Sequence, residues 1–197
     1  MKSIKTIMLL VLCMAGSSLI AKNTEDKIKD AIESAADSLK SGMHKLGDDA
    51  SAIQDYFNHY HWKGVIEAKT TSGQATLSHL KMNGHSRAVV VKPGEPINGE
   101  VHCSFERDQC SSICFYRVVL GINGEGAQTT IGNTLGAIAG KSKEHFVLIA
   151  PEKPGLYQLR FRTVEKFTET EALKAWVDDH GDEPSATTTI GFIYVKS

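Results

Sequence analysis

The spacing of apolar residues in the first third of the chain predicts a long amphipathic helix, within a helical segment at residues 22–61. From Asn23 to Tyr60 the apolar side chains recur at steps of three and four, which places them on one helical face. Gly47, followed by Asp48 and Asp49, would allow one helix to end there and another to begin. The stripe on this face includes Ile32, Leu39, Met43, Leu46, Ile53 and Phe57.

Three interpretations of this stripe remain open. The helix covers its own domain, it associates with a second copy of the chain, or it lies on a membrane surface. Its polar face mixes lysines with aspartates and glutamates, whereas an anionic lipid surface favours a basic polar face. The pattern therefore favours packing or self-association over membrane binding.

From Trp62 onward the period of the pattern changes from helical to two, which predicts β-strands. Glycine and proline punctuate these short strands at intervals that are typical of a sandwich or barrel. We therefore predict a mainly β fold, an antiparallel β-sandwich of jelly-roll or immunoglobulin-like type at residues 62–197, with its own core and the helix as an attachment. The predicted strands are Trp62–Ala68, Ala75–Lys81, Ser86–Lys92, Ile97–Phe105, Ile113–Ile122 and Thr187–Lys196, with a long loop or weak strand at Ala127–Gly140.

The stretch Glu144–Arg162 predicts a central pair of strands joined by a tight turn. Its first half carries apolar residues on both faces, which is typical of a strand covered on both sides. The turn contains Pro151 and the pair Pro154–Gly155, which interrupt a strand. In its second half apolar and polar residues alternate, which predicts one buried face and one solvent-exposed face. The exposed face would carry Gln158, Arg160 and Arg162.

Composition and the N-terminus indicate an exported protein. The chain has 197 residues and a formal net charge of −1, so charge gives no argument for a nucleic-acid partner. Residues 1–21 have the lysines, short apolar core and cleavage site of a signal peptide, with cleavage expected after Ala21. The apolar run is too short for a membrane span, so we expect a periplasmic or extracellular protein without a transmembrane segment.

Cleavage would leave three clustered cysteines, Cys103, Cys110 and Cys114. In an oxidising compartment this count predicts one disulfide and a spare thiol. Cys103 and Cys114 fall on the apolar faces of neighbouring predicted strands, which favours that pair. Zinc is the rival interpretation, but the spacing matches no common zinc site.

Two groups of charged residues suggest ligand contacts, each beside a plainer interpretation. Asp178, Asp179, Asp182 and Glu183 cluster as calcium ligands would, although their spacing is not that of an EF-hand and favours a solvated acidic loop. Arg160 and Arg162 would bind a carboxylate or sulfate, or they are ordinary charged residues on a solvent-exposed strand face. No cofactor other than this calcium is predicted.

The C-terminal half resembles an uncharacterised extracellular β-sandwich module. The likeness rests on the segment CFYRVVLG at 114–121, on APEKPGLYQLRF at 150–161, on EALKAW at 171–176 and on TIGFIYV at 189–195. It covers about residues 97–197, with an AP-x-x-PG-x-Y-x-LRF hairpin, an Ala-x-x-x-Trp segment and a closing TIG strand in the same order. The resemblance implies a fold and a compartment but no activity. The module's further cysteines have no counterpart here, so its disulfide pattern does not transfer.

The sequence therefore predicts an exported, non-catalytic binding or interaction module, associated with the cell envelope, whose ligand is a protein or a glycan. A structural oligomer assembled through the N-terminal helix is one alternative. A hydrolase acting on an extracellular or envelope substrate is the other, and it would require a deep polar cleft.

Overall fold

The computed structural model describes residues 30–31, 33–62, 66, 69–106, 115–135, 140–180 and 188–197. The predicted signal peptide lies outside the described residues. Helix α1 comprises residues 33–45, with residues 30 and 31 also helical, and helix α2 comprises Ala50–His59. Helix α3 comprises Glu169–His180. None of the described helices is long and apolar enough to cross a membrane.

The strands form two five-stranded sheets, so the fold is mainly β as predicted. Sheet 1 has the order β1-β2-β5-β8, with β3 on β2, and sheet 2 has the order β4-β10-β9-β6-β7. Most pairs are antiparallel, but β4 and β10 are parallel, which departs from the expected all-antiparallel arrangement. The bounds are β1 Lys69–Ser72, β2 Ala75–Met82, β3 His85–Ser86, β4 Ala88–Val91, β5 Pro96–Phe105, β6 Phe115–Ile122, β7 Gly126–Leu135, β8 Gly140–Ile149, β9 Gly155–Glu165 and β10 Thr189–Val195.

The two sheets enclose one apolar core. Leu77, Val101 and Leu148 contribute to it from sheet 1, and Leu120 and Phe161 contribute from sheet 2. Each of these side chains is at most 2% exposed. The face of each sheet that points away from this core is called its outer face below.

The predicted hairpin at Glu144–Arg162 is wrong, because its two strands belong to different sheets. Strand β8 pairs with β5 in sheet 1, whereas β9 lies between β10 and β6 in sheet 2. The connection contains Pro151 and Pro154, which lack amide donors and cannot continue a ladder. The prolines end β8, and the pairing of β8 and β9 shows that the chain crosses from one sheet to the other. Strand β8 is also uncovered on one side, since Val147 and Ile149 are 54% and 52% exposed.

The predicted long helix is two shorter helices that meet at residues 46–49. Asp49 caps α2, its carboxylate accepting from the amides of Ser51 and Ala52 at 2.9 and 3.2 Å. The chain thus turns at the Gly47–Asp49 stretch that the sequence marks as a break.

The apolar stripe packs on the outer face of sheet 2. Leu39, Met43, Ile53 and Phe57 are at most 2% exposed, and Leu46 is partly buried in the same cluster. The cluster also contains Ala88 and Phe192 of β4 and β10, while Ile32 lies outside the described residues. The helices are therefore a layer of the domain, and the expected separation between attachment and sandwich is not found.

Gln54 of α2 continues the hydrogen bonding of edge strand β4. Its side-chain amide donates to the Ala88 carbonyl at 3.2 Å, and its carbonyl accepts from the Val90 amide at 3.0 Å. A helix side chain thereby satisfies backbone groups that an edge strand leaves unpaired.

The third helix covers the opposite end of the same outer face. Thr168 and Glu171 form a capping box at its start: the Thr168 hydroxyl accepts from the Glu171 amide and the Glu171 carboxylate accepts from the Thr168 amide, each at 3.2 Å. Ala172 and Ala175 pack on Val119 of β6. The short helix expected at Glu169–Val177 is confirmed and runs three residues further.

Candidate binding face

Polar side chains line up across the outer face of sheet 1. The strand register places Lys69 of β1 opposite Ser78 of β2, Ser78 opposite His102 of β5, and His102 opposite Lys143 of β8. Side chains that lie opposite each other on one face of a sheet are about 5 Å apart at Cβ. Four strands thus contribute one continuous polar row.

A surface depression of about 450 Å³, the basic hollow, follows this row. Lys69, Lys141 and Lys143 line it together with His79 and His102. The two imidazole rings are tilted against each other with centroids 4.8 Å apart. Ser78 and Ser104 add hydroxyl groups on the same face, and Cys103 and Ser142, whose side chains are directed toward the core by the register, complete the lining.

One carboxylate stands beside the hollow and is already paired. Glu100 accepts from the Lys81 and Lys143 ammonium groups at 3.1 and 2.8 Å. These hydrogen bonds lower the pKa of Glu100 to about 2, with Lys143 the larger cause. Within the described part of the chain, Lys69 and Lys141 have no such carboxylate partner, so their charges face the hollow uncompensated.

A β-bulge in β2 shapes the edge of the hollow. The register with β5 shifts between Ser78 and Lys81, and His79 has a left-handed φ of 56°. The extra residue reverses the alternation of the strand, so that Leu80 is buried and Lys81 is exposed. His79 lies at the bulge, between the outer face and the core.

A second space, the apolar cavity, lies on the core side of the bulge and has about 520 Å³. Its apolar lining comes from Trp62, Leu77, Leu80, Val101 and Ile190. Its polar lining includes Asn58 of α2 and Arg87. This volume lies within the range of about 300–1,000 Å³ that is usual for small-molecule sites.

The strand face that carries the two candidate ligand-binding arginines is not exposed to solvent as predicted. Arg160 is 5% exposed and donates to the Gln158 side chain at 3.2–3.3 Å. Arg162 is partly buried, with its guanidinium 5.4 Å from the centroid of the Trp176 ring. Sheet 2 buries this face because helices cover both of its ends, which the alternation along β9 alone does not reveal.

Of the three candidate disulfide cysteines, the structure describes Cys103. It faces the core as predicted, is 1% exposed and forms no disulfide within the described part of the chain. Burial raises the pKa of this thiol to about 12, and the nearby Glu144 adds to the rise. The thiol is thus protonated and shielded, which is unsuited to nucleophilic catalysis. Cys110 and Cys114 lie outside the described residues, so the pairing stays a prediction.

The candidate calcium residues are divided by the structure. Asp178 and Asp179 lie within helix α3, whereas a loop was expected there. Asp182 and Glu183 lie outside the described residues. Where side chains are described, no three His, Cys, Asp or Glu residues are grouped so as to hold a metal ion. The calcium site therefore stays a prediction.

The residues of the basic hollow were not identified from the sequence. They come from four strands, and β1 and β8 are separated by about 70 positions in the chain. The available signal was alternation, since Lys141 and Lys143 share one face of β8. Only the pairing register brings them to Lys69 and His102.

No protein-family model matches the sequence, and no curated protein matches it. Among solved structures, the chain is similar to the CARDB domain of the PF1109 protein from Pyrococcus furiosus, whose structure is described as a complex with di-metal ions. The two are 17% identical, with 64% of this chain and 97% of that chain covered and a TM-score of 0.33. A similarity of this extent says nothing about the activity of the present chain.

Proposed function

We propose that the protein is an exported, non-catalytic binding module whose ligand is anionic and contacts the outer face of sheet 1. The observation that carries this proposal is the convergence of Lys69, Lys141 and Lys143 on one hollow in a chain of net charge −1. Export rests on the signal peptide expected at residues 1–21. The ligand carries carboxylate, sulfate or phosphate groups.

The chemistry of the hollow favours binding over catalysis. Ammonium groups and serine hydroxyls donate hydrogen bonds to anionic oxygens, and charge-assisted hydrogen bonds are the stronger ones. Because Glu100 already pairs with Lys81 and Lys143, it leaves the charges of Lys69 and Lys141 to the ligand. Surface charges at this degree of exposure give modest affinity that falls with salt.

The first test is an NMR titration of the mature protein with sulfate, phosphate and acetate in separate experiments. We expect the largest shifts at the amides of residues 69, 78, 102, 141 and 143. The variant Lys69→Met/Lys141→Met should weaken binding by about tenfold, since each exposed charge contributes up to about 1 kcal/mol.

A matched control removes two exposed lysines elsewhere, as Lys153→Met/Lys174→Met. Both variants lose two positive charges, so a general electrostatic effect would weaken them equally. The proposal fails if the two variants lose affinity to the same extent, or if the amides of sheet 1 do not respond to any of the anions.

A further inference from the structure

The basic hollow and the apolar cavity lie next to each other. Three residues line both spaces, namely Lys69, Ser78 and His79. One space offers cationic and hydroxyl groups on the outer face, and the other offers an apolar lining on the core side. A ligand in the hollow would therefore have apolar surface within reach across the bulge.

The bulge in β2 lies where the two spaces meet. The register of β2 with β5 shifts between Ser78 and Lys81, which leaves His79 and Leu80 out of it. His79 lines both spaces, and Leu80 lines the apolar cavity. The two spaces thus meet where the regular pairing of β2 with β5 is interrupted.

Trp62 makes the cavity observable. Its side chain lines the cavity and is 6% exposed, with its ring stacked on Phe192 at a centroid distance of 5.5 Å. The other of the two tryptophans, Trp176, packs with α3 on the far end of sheet 2. In a Trp176→Phe variant, the fluorescence would report on the cavity alone.

We infer that the ligand is an amphipathic anion, which places its charged head in the basic hollow and an unbranched apolar chain in the apolar cavity, across the bulge at His79 that both spaces share. This inference rests on the proposed function, because it assigns the head group to the same lysines. It adds that affinity depends on the length of an apolar chain, which a purely electrostatic face would not show.

The test is a titration of the Trp176→Phe variant with acetate, butyrate, hexanoate and octanoate below their micellar concentrations. Burial of each added methylene should raise affinity about three- to fourfold until the cavity is filled. The emission of Trp62 should change with hexanoate and octanoate but not with acetate. The same series on the unsubstituted protein, followed by NMR, guards against an effect of the tryptophan change.

Two substitutions separate the head from the chain. Lys69→Met/Lys141→Met should weaken all members of the series by a similar factor, whereas Lys153→Met/Lys174→Met should leave them unchanged. Val101→Phe would fill the cavity, so it should abolish the dependence on chain length and keep the binding of acetate. If Val101→Phe does not fold, the chain-length series on the unsubstituted protein decides the matter alone.

The outcomes distinguish this inference from the proposed function. Equal affinities for acetate and octanoate, both reduced in the Lys69/Lys141 variant, would overturn the inference and keep the anionic site. Binding of octanol as tight as octanoate, and insensitive to the lysines, would also overturn it, because the cavity would then act without the hollow. Failure of every anion to bind would remove the proposed function itself.

Discussion

The outer faces of the two sheets differ in what covers them. On sheet 2, α1 and α2 pack over β4 and β10 at one end, and α3 packs over β6 at the other. On sheet 1, the described part of the chain places no helix over the lysines, histidines and serines of the polar row. The same sandwich thus presents one face as an interior layer and the other to solvent.

The difference follows from what the strands carry outward. Strand β10 directs Phe192 and Tyr194 to the outer face of sheet 2, where exposed rings would be unfavourable without a cover. Strand β5 directs Glu100 and His102 outward on sheet 1, where water solvates them. Apolar residues on sheet 2 thus stabilise the fold, whereas sheet 1 leaves polar groups available to a ligand.

The largest expected effect comes from the covered face. Phe57 is fully buried, with ring centroids 6.4 Å from both Trp62 and Tyr194. Phe57→Ala should lower the free energy of unfolding by about 3–5 kcal/mol, through lost burial and the cavity left behind. Urea unfolding followed by circular dichroism measures this change.

The matched control on the open face is Val147→Ala. Val147 is 54% exposed on β8, so its truncation should change the free energy of unfolding by less than about 0.5 kcal/mol. Equal losses for Phe57→Ala and Val147→Ala would show that α2 is not a layer of the domain, and the contrast between the two faces would not hold.

An intermediate effect is expected where α3 meets sheet 2. Gly121 lies against the Trp176 ring and the Gly126 carbonyl oxygen, and a Cβ there would overlap both. Gly121→Ala should therefore destabilise the protein by about 1–3 kcal/mol. Gly140→Ala is the control, because a Cβ at Gly140 meets no atom of the described residues within 4 Å. Guanidinium unfolding of both variants gives the comparison.

A double-mutant cycle identifies the cause. If the loss in Gly121→Ala comes from the ring, then Trp176→Leu should reduce it in the double variant, with a coupling of about 0.5–3 kcal/mol. An additive result would assign the loss to the backbone contact with the Gly126 carbonyl rather than to the Trp176 ring.

Local periodicity predicted most of the elements but not their partners, and it missed β1 at Lys69–Ser72, since a strand was expected at Trp62–Ala68 instead. The stripe through Leu39, Met43 and Phe57 was read correctly as a helical face, because spacing along a helix is a local property. The pairing of β8 and β9 was misread, because a proline-containing turn is equally consistent with a hairpin and with a crossing between sheets. The burial of Arg160 depends on helices distant in sequence, which alternation does not report.

The candidate site illustrates the same limit more strongly. Lys69 and Lys143 meet through the registers of three strand pairs, and the pairs of β2 with β5 and of β5 with β8 join residues far apart in the chain. The bulge at His79 moreover reverses the alternation within β2, so a strict period of two assigns its last residues to the wrong faces. Site residues on separate strands become visible only when the register is known.

The smallest expected effect concerns Glu100, which forms ion pairs with Lys81 and Lys143 on the outer face of sheet 1. Because Lys143 and Lys81 hold the folded-state pKa of Glu100 near 2, well below the usual 4.5, Glu100 contributes stability that is present above about pH 4.5 and is lost as pH falls toward 2. The difference in Tm between the unsubstituted protein and Glu100→Gln should therefore shrink across this window, and also in high salt at pH 6, since the pair is exposed.

Glu152→Gln, which removes an exposed carboxylate from the β8–β9 connection, is the control for a general charge effect. If the difference in Tm caused by Glu100→Gln does not depend on pH, the ion pairs of Glu100 do not stabilise the fold. Because the substitution also releases Lys143 toward the hollow, it should tighten sulfate binding at neutral pH, opposite in sign to its effect on stability.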